Sequence, residues 1–84
     1  MLIEYSAHSL SKIEILKNHG INISKELIKN TIKFPDKVET GYNDRLIAQK
    51  IIDDFHVIRV VYENKENNNI IVITVYPGRR DRYE

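Results

Sequence analysis

The apolar residues in the first part of the chain recur at helical spacing. They are Leu10, Ile13 and Leu16, which is the pattern of one face of an α-helix. Ser6 is a suitable N-cap, and Gly20 can take the left-handed conformation that ends a helix. Ser11 with Glu14 forms a competing capping box. We prefer Ser6, because a start at Ser11 leaves barely two turns.

A second helical pattern follows at once. Ser24 is its N-cap, and its apolar stripe consists of Leu27, Ile28 and Ile32. Three lysines (Lys25, Lys29 and Lys33) fall on the other side, which we interpret as a solvated face. Phe34-Pro35-Asp36 ends this helix, because a residue that precedes proline is biased away from the helical conformation.

The second half of the chain alternates in the way that strands do. β-Branched and aromatic residues predict strands at 38–42, 45–52, 55–62 and 70–76. Polar turns separate them at Asn43-Asp44, Asp53-Asp54 and 63–69, and turns this short favour antiparallel neighbours. The predicted fold is therefore α+β: one domain, 1–84, with two N-terminal helices on one face of a curved, mainly antiparallel four-stranded sheet.

The alternation also predicts which strand residues face the helices. In the last strand the wholly aliphatic set is Ile71, Ile73 and Val75, so we expect this set against the helices. Arg59 is too costly to bury unpaired, so we place it on the open face with Thr74 and Tyr76. Lys50 joins that face if its strand has the same phase.

An arginine cluster follows the last strand. Pro77-Gly78 is expected to break the strand, and then come Arg79, Arg80 and Arg82. Arginine pairs with phosphate oxygens and tyrosine stacks on bases, so an open face with this rim suits a phosphate-rich ligand. The plainer interpretation is a solvated tail partly neutralised by Asp81.

The individual candidates also have ordinary structural interpretations. Arg59 can lay its stem on the sheet, Thr74 is a common strand residue, and Tyr76 can serve in packing. His8, in the first helical turn, is either a capping residue or a general acid–base, since the histidine pKa lies near working pH.

Composition narrows the function classes. The 84 residues carry 13 Lys and Arg against 12 Asp and Glu, so net charge alone indicates no nucleic-acid or membrane partner. Cysteine is absent, which removes disulfides and thiolate chemistry. The three histidines are well separated, so we predict no metal site and no cofactor. No signal peptide or membrane-spanning run is evident, and we expect a cytoplasmic protein.

Four stretches together resemble a known group of proteins. They are AHSLSKIEILKNHGI (7–21), SKELIKNTIKFPDKVETG (24–41), VIRVVYE (57–63) and IIVITVYP (70–77). Nearly the whole chain resembles a small domain-of-unknown-function family related to the RelE/ParE-like toxins. That resemblance implies a barnase/RelE-like fold, cleavage of messenger RNA that is often ribosome-bound, and silencing by a cognate antitoxin.

The resemblance also implies roles for individual residues. The catalytic candidates are His8, Arg59, Thr74 and Tyr76, and Lys50 and Arg79 are looser candidates for RNA binding. The arginine cluster adds Arg80 and Arg82 to the RNA-binding candidates. In metal-independent cleavage Arg59 would stabilise the phosphorane, while Tyr76 or His8 would transfer a proton or stack on a base.

Two alternatives remain open at the sequence level. One is a non-catalytic binding module, or an inactive relative, whose open sheet face docks a protein. The other is a nucleic-acid-binding protein without cleavage, which the near-zero net charge makes less attractive. A chain this small is also a candidate for a homodimer.

Overall fold

A computed structural model describes residues 1–83 and shows an α+β fold, as the sequence predicts. In the described part of the chain the helices are α1 (Ala7–Asn18), α2 (Lys25–Lys33) and α3 (Arg80–Tyr83). The strands are β1 (Ile3–Tyr5), β2 (Lys37–Thr40), β3 (Leu46–Ile51), β4 (His56–Asn64) and β5 (Ile70–Arg79). They form one mixed sheet in the order β1-β5-β4-β3-β2.

The predicted caps of both long helices are confirmed. The Ser6 Oγ accepts a hydrogen bond from the Ser9 N–H at 3.0 Å, and the Ser24 Oγ accepts one from the Leu27 N–H at 3.0 Å. Each bond satisfies one of the unpaired donors of a first helical turn. Ser11 lies inside α1, so the competing capping box is not used. Gly20 has φ +82° just past the helix end, where residues other than glycine are strained.

Two of the three hairpin loops, β2–β3 and β4–β5, share one turn geometry. Asn43 and Asp44 have φ of 55° and 62°, and Asn67 and Asn68 both have φ of 60°. Two consecutive left-handed residues make a type I′ turn, whose twist matches that of the flanking strands. Asn and Asp tolerate this conformation better than most residues, so the predicted turns at both places are confirmed.

The sheet has a fifth strand that the sequence analysis missed. β1 pairs in parallel with β5, with Ile3 opposite Ile70 and Tyr5 opposite Val72. A three-residue strand has too short an alternation to be recognised, and its partner lies more than sixty residues away. The prediction of four strands was therefore wrong, and the sheet is mixed because of this one parallel pair.

The main core lies between the sheet and helices α1 and α2. Its buried members are Leu16, Ile23, Ile28, Ile32, Ala48, Ile58, Val60, Tyr62, Ile70, Val72 and Val75. Residues 58, 60 and 62 of β4 therefore point at the helices, as predicted. By alternation Arg59 points to the opposite face, which also confirms its predicted side.

A β-bulge changes the phase of β5. Val61 pairs with Thr74 and Tyr62 pairs with Val72, so Ile73 is the extra residue on β5. Beyond the bulge Val75 faces the core, as predicted. Before it the assignment of faces was wrong, because strict alternation does not allow for an inserted residue; the affected residues are Ile70, Ile71, Val72 and Ile73.

Strand β5 runs through Pro77 and Gly78 to Arg79, so the predicted break after Tyr76 was wrong. β1 pairs only with Ile70 to Val72, so within residues 1–83 the same edge of β5 has no neighbouring strand after Val72. Proline lacks an N–H but is tolerated on such an edge. The opposite edge of β5 stays paired with β4, where Ile58 lies opposite Pro77.

Candidate functional site

Arg59 lies on the sheet face that α1 and α2 do not cover, yet it is only 4% exposed. Helix α3 folds back over this face and lays the Tyr83 ring on the guanidinium, with 4.4 Å between the Arg59 Cζ and the ring centroid. That distance is in the range of a cation–π contact. The expectation that Arg59 stands on an open face is therefore corrected, because the chain's own C-terminal turn covers it.

Three side chains accept hydrogen bonds from the Arg59 guanidinium. Its Nε donates to the Tyr76 hydroxyl at 2.9 Å, its Nη1 to the Gln49 Oε1, and its Nη2 to the Glu39 Oε2 at 3.2 Å. The strand register explains why these side chains meet, because Arg59 is directly opposite Gln49 on β3 and directly opposite Tyr76 on β5. A buried charge needs partners of this kind.

The backbone carbonyl of Tyr83 completes the cluster. Its oxygen accepts from the Gln49 Nε2 at 2.9 Å and from the Lys37 Nζ at 3.1 Å. Lys37 also pairs with the Glu39 carboxylate at 3.1 Å. An ammonium and an amide N–H thus converge on one oxygen beside a guanidinium, which is the donor set of an oxyanion site. Lys37, Glu39, Gln49, Arg59, Tyr76 and Tyr83 together form what we call the Arg59 cluster.

Hydrogen bonds and opposite charges favour the ionised forms of Arg59 and Glu39. Burial lowers the pKa of the Arg59 guanidinium, but its hydrogen bonds to Tyr76 and Glu39 more than compensate, and the net pKa is raised. Hydrogen bonds from Arg59 and Lys37 lower the pKa of the Glu39 carboxyl below its ordinary value of 4.5. Glu39 is therefore an ionised carboxylate at neutral pH, next to a permanently charged arginine.

The depressed pKa of Glu39 has a consequence for stability. A carboxyl whose pKa is lower in the folded state stabilises the fold above its unfolded pKa, and this contribution disappears as the pH falls through the folded pKa. We expect the unfolding free energy of the wild type to exceed that of Glu39→Gln at pH 7. The difference should shrink below pH 4.5. Urea unfolding at stepped pH values measures it.

Glu14→Gln is the matched control, since Glu14 is exposed on α1 and takes part in no ion pair among residues 1–83. A wild-type minus Glu39→Gln difference that is the same at pH 3 and pH 7 would contradict the assigned interaction.

Gly78 permits the close approach of the covering turn. A Cβ built on Gly78 would lie 2.5 Å from the Tyr83 Cε2 and 3.3 Å from the Val57 Cγ2. Val57 is fully buried but is not part of the core beneath the helices. The Tyr83 ring therefore packs directly against the backbone of Gly78 on the Arg59 face, with Val57 beside it.

The structure brings some of the predicted site residues together and separates others. Arg59 and Tyr76 are in contact, and Thr74 lies on the same face opposite Val61. His8 is exposed on α1, which packs on the other face of the sheet. It is therefore separated from Arg59 by the sheet itself.

Lys50 also faces away from Arg59. It lies opposite Ile58, a core residue, and its Nζ donates to the Phe34 carbonyl at 2.9 Å. Phe34 is the C-cap of α2. At a helix C-terminus a lysine ammonium can donate to an unpaired carbonyl, and its positive charge interacts favourably with the helix dipole. The structure thus gives Lys50 a capping position, and the condition for its place beside Arg59, a strand of the same phase, is not met.

This position predicts a stability effect at Lys50. Lys50→Met keeps most of the stem but loses the hydrogen bond, and we expect it to cost about 0.5–1.5 kcal/mol in the free energy of unfolding. Thermal or urea unfolding measures the loss. Lys65→Met, at an exposed lysine of the β4–β5 loop, should stay within about 0.5 kcal/mol of the wild type. Equal stabilities for the two variants would argue against the cap.

The three arginines of the C-terminal cluster, which we call the rim, are not members of the Arg59 cluster. Arg79 is 74% exposed and pairs with Asp81 at 3.3 Å, and the Arg80 N–H donates to the Phe55 carbonyl at 2.8 Å. Arg82 is exposed on α3. Arg80 and Arg82 lie on the same short helix as Tyr83, and Arg79 ends β5 just before it.

Sequence reasoning missed four members of the Arg59 cluster: Lys37, Glu39, Gln49 and Tyr83. The period-two alternation of β2 and β3 contains the signal, since residues 37, 39 and 49 all share the face of Arg59. To recognise that these residues meet Arg59, one must know the register between the strands. The hydrophobic pattern of a half-exposed edge strand does not specify that register. Tyr83 reaches the cluster only through the fold-back of α3.

These features define a small α+β domain with a polar, charge-paired site on the sheet face opposite its helices. A family profile described as "Domain of unknown function (DUF4258)" matches residues 13–77, and the chain belongs to that family. The matched span includes Lys37, Glu39, Gln49, Arg59 and Tyr76, and it stops before the α3 cover. Neither the curated proteins nor the solved structures gave a match.

Two kinds of feature are absent from residues 1–83. No helix in that range is both long and apolar enough to cross a membrane. Nor does it contain a group of three or more His, Cys, Asp or Glu side chains positioned to hold a metal ion.

Proposed function

We propose that this chain is a toxin-like endoribonuclease that cleaves RNA without a metal ion. The observation that carries the proposal is the Arg59 cluster, in which a buried guanidinium, a phenol and an ionised carboxylate share one sheet face. Arg59 is hydrogen-bonded to both Tyr76 and Glu39, so the three groups are already within reach of one reacting phosphate. The RelE/ParE-like resemblance supports the same reaction class.

The chemistry assigns one role to each group. The Glu39 carboxylate accepts the proton of a ribose 2′-hydroxyl, and that oxygen bonds to the adjacent phosphorus. Arg59 and Lys37 stabilise the added negative charge of the phosphorane. The bond from phosphorus to the 5′-oxygen then breaks, and the Tyr76 hydroxyl donates its proton to that leaving oxygen. The products are a 2′,3′-cyclic phosphate and a 5′-hydroxyl.

The position of Tyr83 supports this assignment and adds a condition. Its carbonyl oxygen is held by Lys37 and Gln49, where a phosphoryl oxygen would receive the same donors. Its ring covers Arg59. Substrate therefore replaces Tyr83, and α3 moves off the sheet face when RNA binds. Arg80 and Arg82 move with it, and together with Arg79 at the end of β5 they contact the flanking phosphates.

The partners follow from this proposal. The substrate is RNA, including messenger RNA on the ribosome, and the protein acts in the cytoplasm. A cognate antitoxin silences it by covering the Arg59 face, and a second copy of the chain is another candidate for the same surface. His8 and Lys50 are not included in the proposed site, because both lie on the helical side of the sheet.

A second candidate is a non-catalytic protein-binding module. One observation favours it: the Nε, Nη1 and Nη2 of Arg59 each already donate to a side chain of the protein. A guanidinium satisfied in this way can serve only to fix β2, β3, β5 and α3 to one another. Tyr83 would then be a permanent part of the fold, and a partner would dock on the exposed rim.

Incubation of the purified protein with end-labelled single-stranded RNA in EDTA separates the two candidates. An endoribonuclease gives fragments that end in 2′,3′-cyclic phosphate, and it leaves DNA of the same sequence intact. Induction of the protein alone in a bacterial host, with mapping of messenger-RNA 5′ ends, extends the test to ribosome-bound RNA. Intact RNA in both experiments, with folded protein present, favours the binding module.

A further inference from the structure

A second polar surface lies on the helical side of the sheet, away from the Arg59 cluster. It is a groove of about 530 Å³ between β1 and α2. Its lining residues are Met1, Ile3, Tyr5, Lys25, Glu26, Lys29, Asn30, Lys33 and Phe34. Neither the capping of the helices nor the proposed cleavage uses this groove.

The groove is lined along one side by lysines at regular steps. Lys25, Lys29 and Lys33 are four residues apart on α2, so they succeed one another at about 6 Å along the helix. Within residues 1–83 none of the three takes part in a salt bridge. Glu26 is the one carboxylate in the lining, so three lysines against one glutamate leave the groove with a net positive charge.

Aromatic rings stand at both ends of this row. Tyr5 is half-buried in the groove with the Lys25 Nζ 5.0 Å from its ring centroid. Phe34, at the end of α2, is 67% exposed. An exposed phenylalanine beside a lysine row contributes nothing to the core, but it offers a flat surface on which a base can stack.

We propose that the groove between β1 and α2 binds single-stranded nucleic acid. The lysine row tracks the phosphate backbone, and Phe34 and Tyr5 stack on bases, which is the combination that sequence-tolerant single-strand sites use. A duplex keeps its bases stacked inside and cannot offer them to these rings. The groove lies on the other side of the sheet from Arg59, so it anchors a part of the strand distant from the nucleotide to be cut.

Binding is measured apart from cleavage with a fluorescein-labelled 12-nucleotide oligodeoxyuridylate, whose lack of 2′-hydroxyls prevents cleavage. Its anisotropy is titrated at several salt concentrations with the wild type and with the triple variant Lys25→Gln, Lys29→Gln, Lys33→Gln. We expect at least about tenfold weaker binding and a log–log salt slope that is smaller by about 2, from roughly 0.7 per single-strand phosphate contact. Phe34→Ala alone should weaken binding about fivefold or more.

The matched control is Lys12→Gln, Lys17→Gln, Lys65→Gln, which removes the same charge from α1 and a loop. It should stay within about threefold of the wild type, since only contacted charges release counterions. Equal losses in the two triple variants would overturn the proposal. A second result would also overturn it: an unlabelled duplex or inorganic polyphosphate competes as well as the single strand, and Phe34→Ala does not change the affinity. The groove would then be a general polyanion surface. Since the probe cannot be cut, loss of this binding and absence of RNA cleavage are separate results.

Discussion

Arg59→Ala is expected to lower the rate of RNA cleavage by about 10²-fold or more, which is the usual effect of removing one preorganised donor to a developing oxyanion. Arg59 is the only guanidinium in the Arg59 cluster, and it touches both proposed proton-transfer groups, Tyr76 and Glu39. Initial rates on a labelled RNA in EDTA, with enzyme in excess, measure the chemical step directly.

Loss of folding must be separated from loss of chemistry, because Arg59 is 4% exposed and its removal leaves buried partners unsatisfied. Arg59→Lys keeps the charge but not the planar fork, so it should fold and still lose most of the rate. Arg79→Ala, at an exposed rim arginine, should stay within about fivefold, as expected for one screened phosphate contact. Full activity in a folded Arg59→Ala protein would end the assignment of this residue to the site.

Gly78→Ala is expected to dislodge the α3 cover. The new Cβ would lie 2.5 Å from the Tyr83 ring, with Val57 behind it at 3.3 Å, so the ring has to move away. We expect a loss of about 1–3 kcal/mol in unfolding free energy, the usual cost of overpacking. Arg59 should also become accessible to an arginine-specific dicarbonyl reagent, and peptide mass spectrometry locates the modified residue.

Gly41→Ala is the matched control. A Cβ on Gly41 meets its nearest neighbours at 3.5 Å, and its φ of −106° suits any residue. This variant should remain within about 0.5 kcal/mol of the wild type and leave Arg59 protected. If Gly78→Ala leaves Arg59 as unreactive as in the wild type, the cover does not depend on this close approach, and the proposed entry of substrate beneath Tyr83 loses its support.

These two experiments also distinguish the two candidate functions. In an endoribonuclease, uncovering Arg59 exposes the reacting groups, so Gly78→Ala should cut RNA at least as fast as the wild type per folded molecule. In a binding module, Arg59 and Tyr83 hold the sheet and α3 together. If the protein is a binding module, Arg59→Ala and Gly78→Ala should both be less stable than the wild type, and none of the three proteins should cleave RNA.

The local features of the fold were predictable because they depend on neighbours in the sequence. Ser6 and Ser24 cap their helices as predicted, and the two hairpin turns use Asn and Asp at left-handed positions. A cap or a turn involves a few adjacent residues, so its chemistry is visible in the sequence. The side of the sheet that Arg59 occupies also followed, from the cost of burying its charge among the helices.

Features that depend on pairing between distant residues were not predictable. The bulge at Ile73 reversed the assigned faces of half of β5, and β1 joined the sheet through a parallel partner far along the chain. The face of Lys50 could not be assigned from the sequence, because the phase of β3 depends on its register with β4. A shift of one residue moves every side chain to the other face, and no short pattern fixes that shift.

The sequence by itself determined the α+β class, the helix caps, the turns and the sheet face that Arg59 shares with Tyr76. Only the tertiary structure decided what surrounds that arginine. Glu39, Gln49 and Lys37 come from two other strands and meet it through register, and Tyr83 arrives when α3 folds back over Gly78. The physical reason is that hydrogen bonds and charge pairing act over a few ångströms in space, whatever the separation of the residues along the chain.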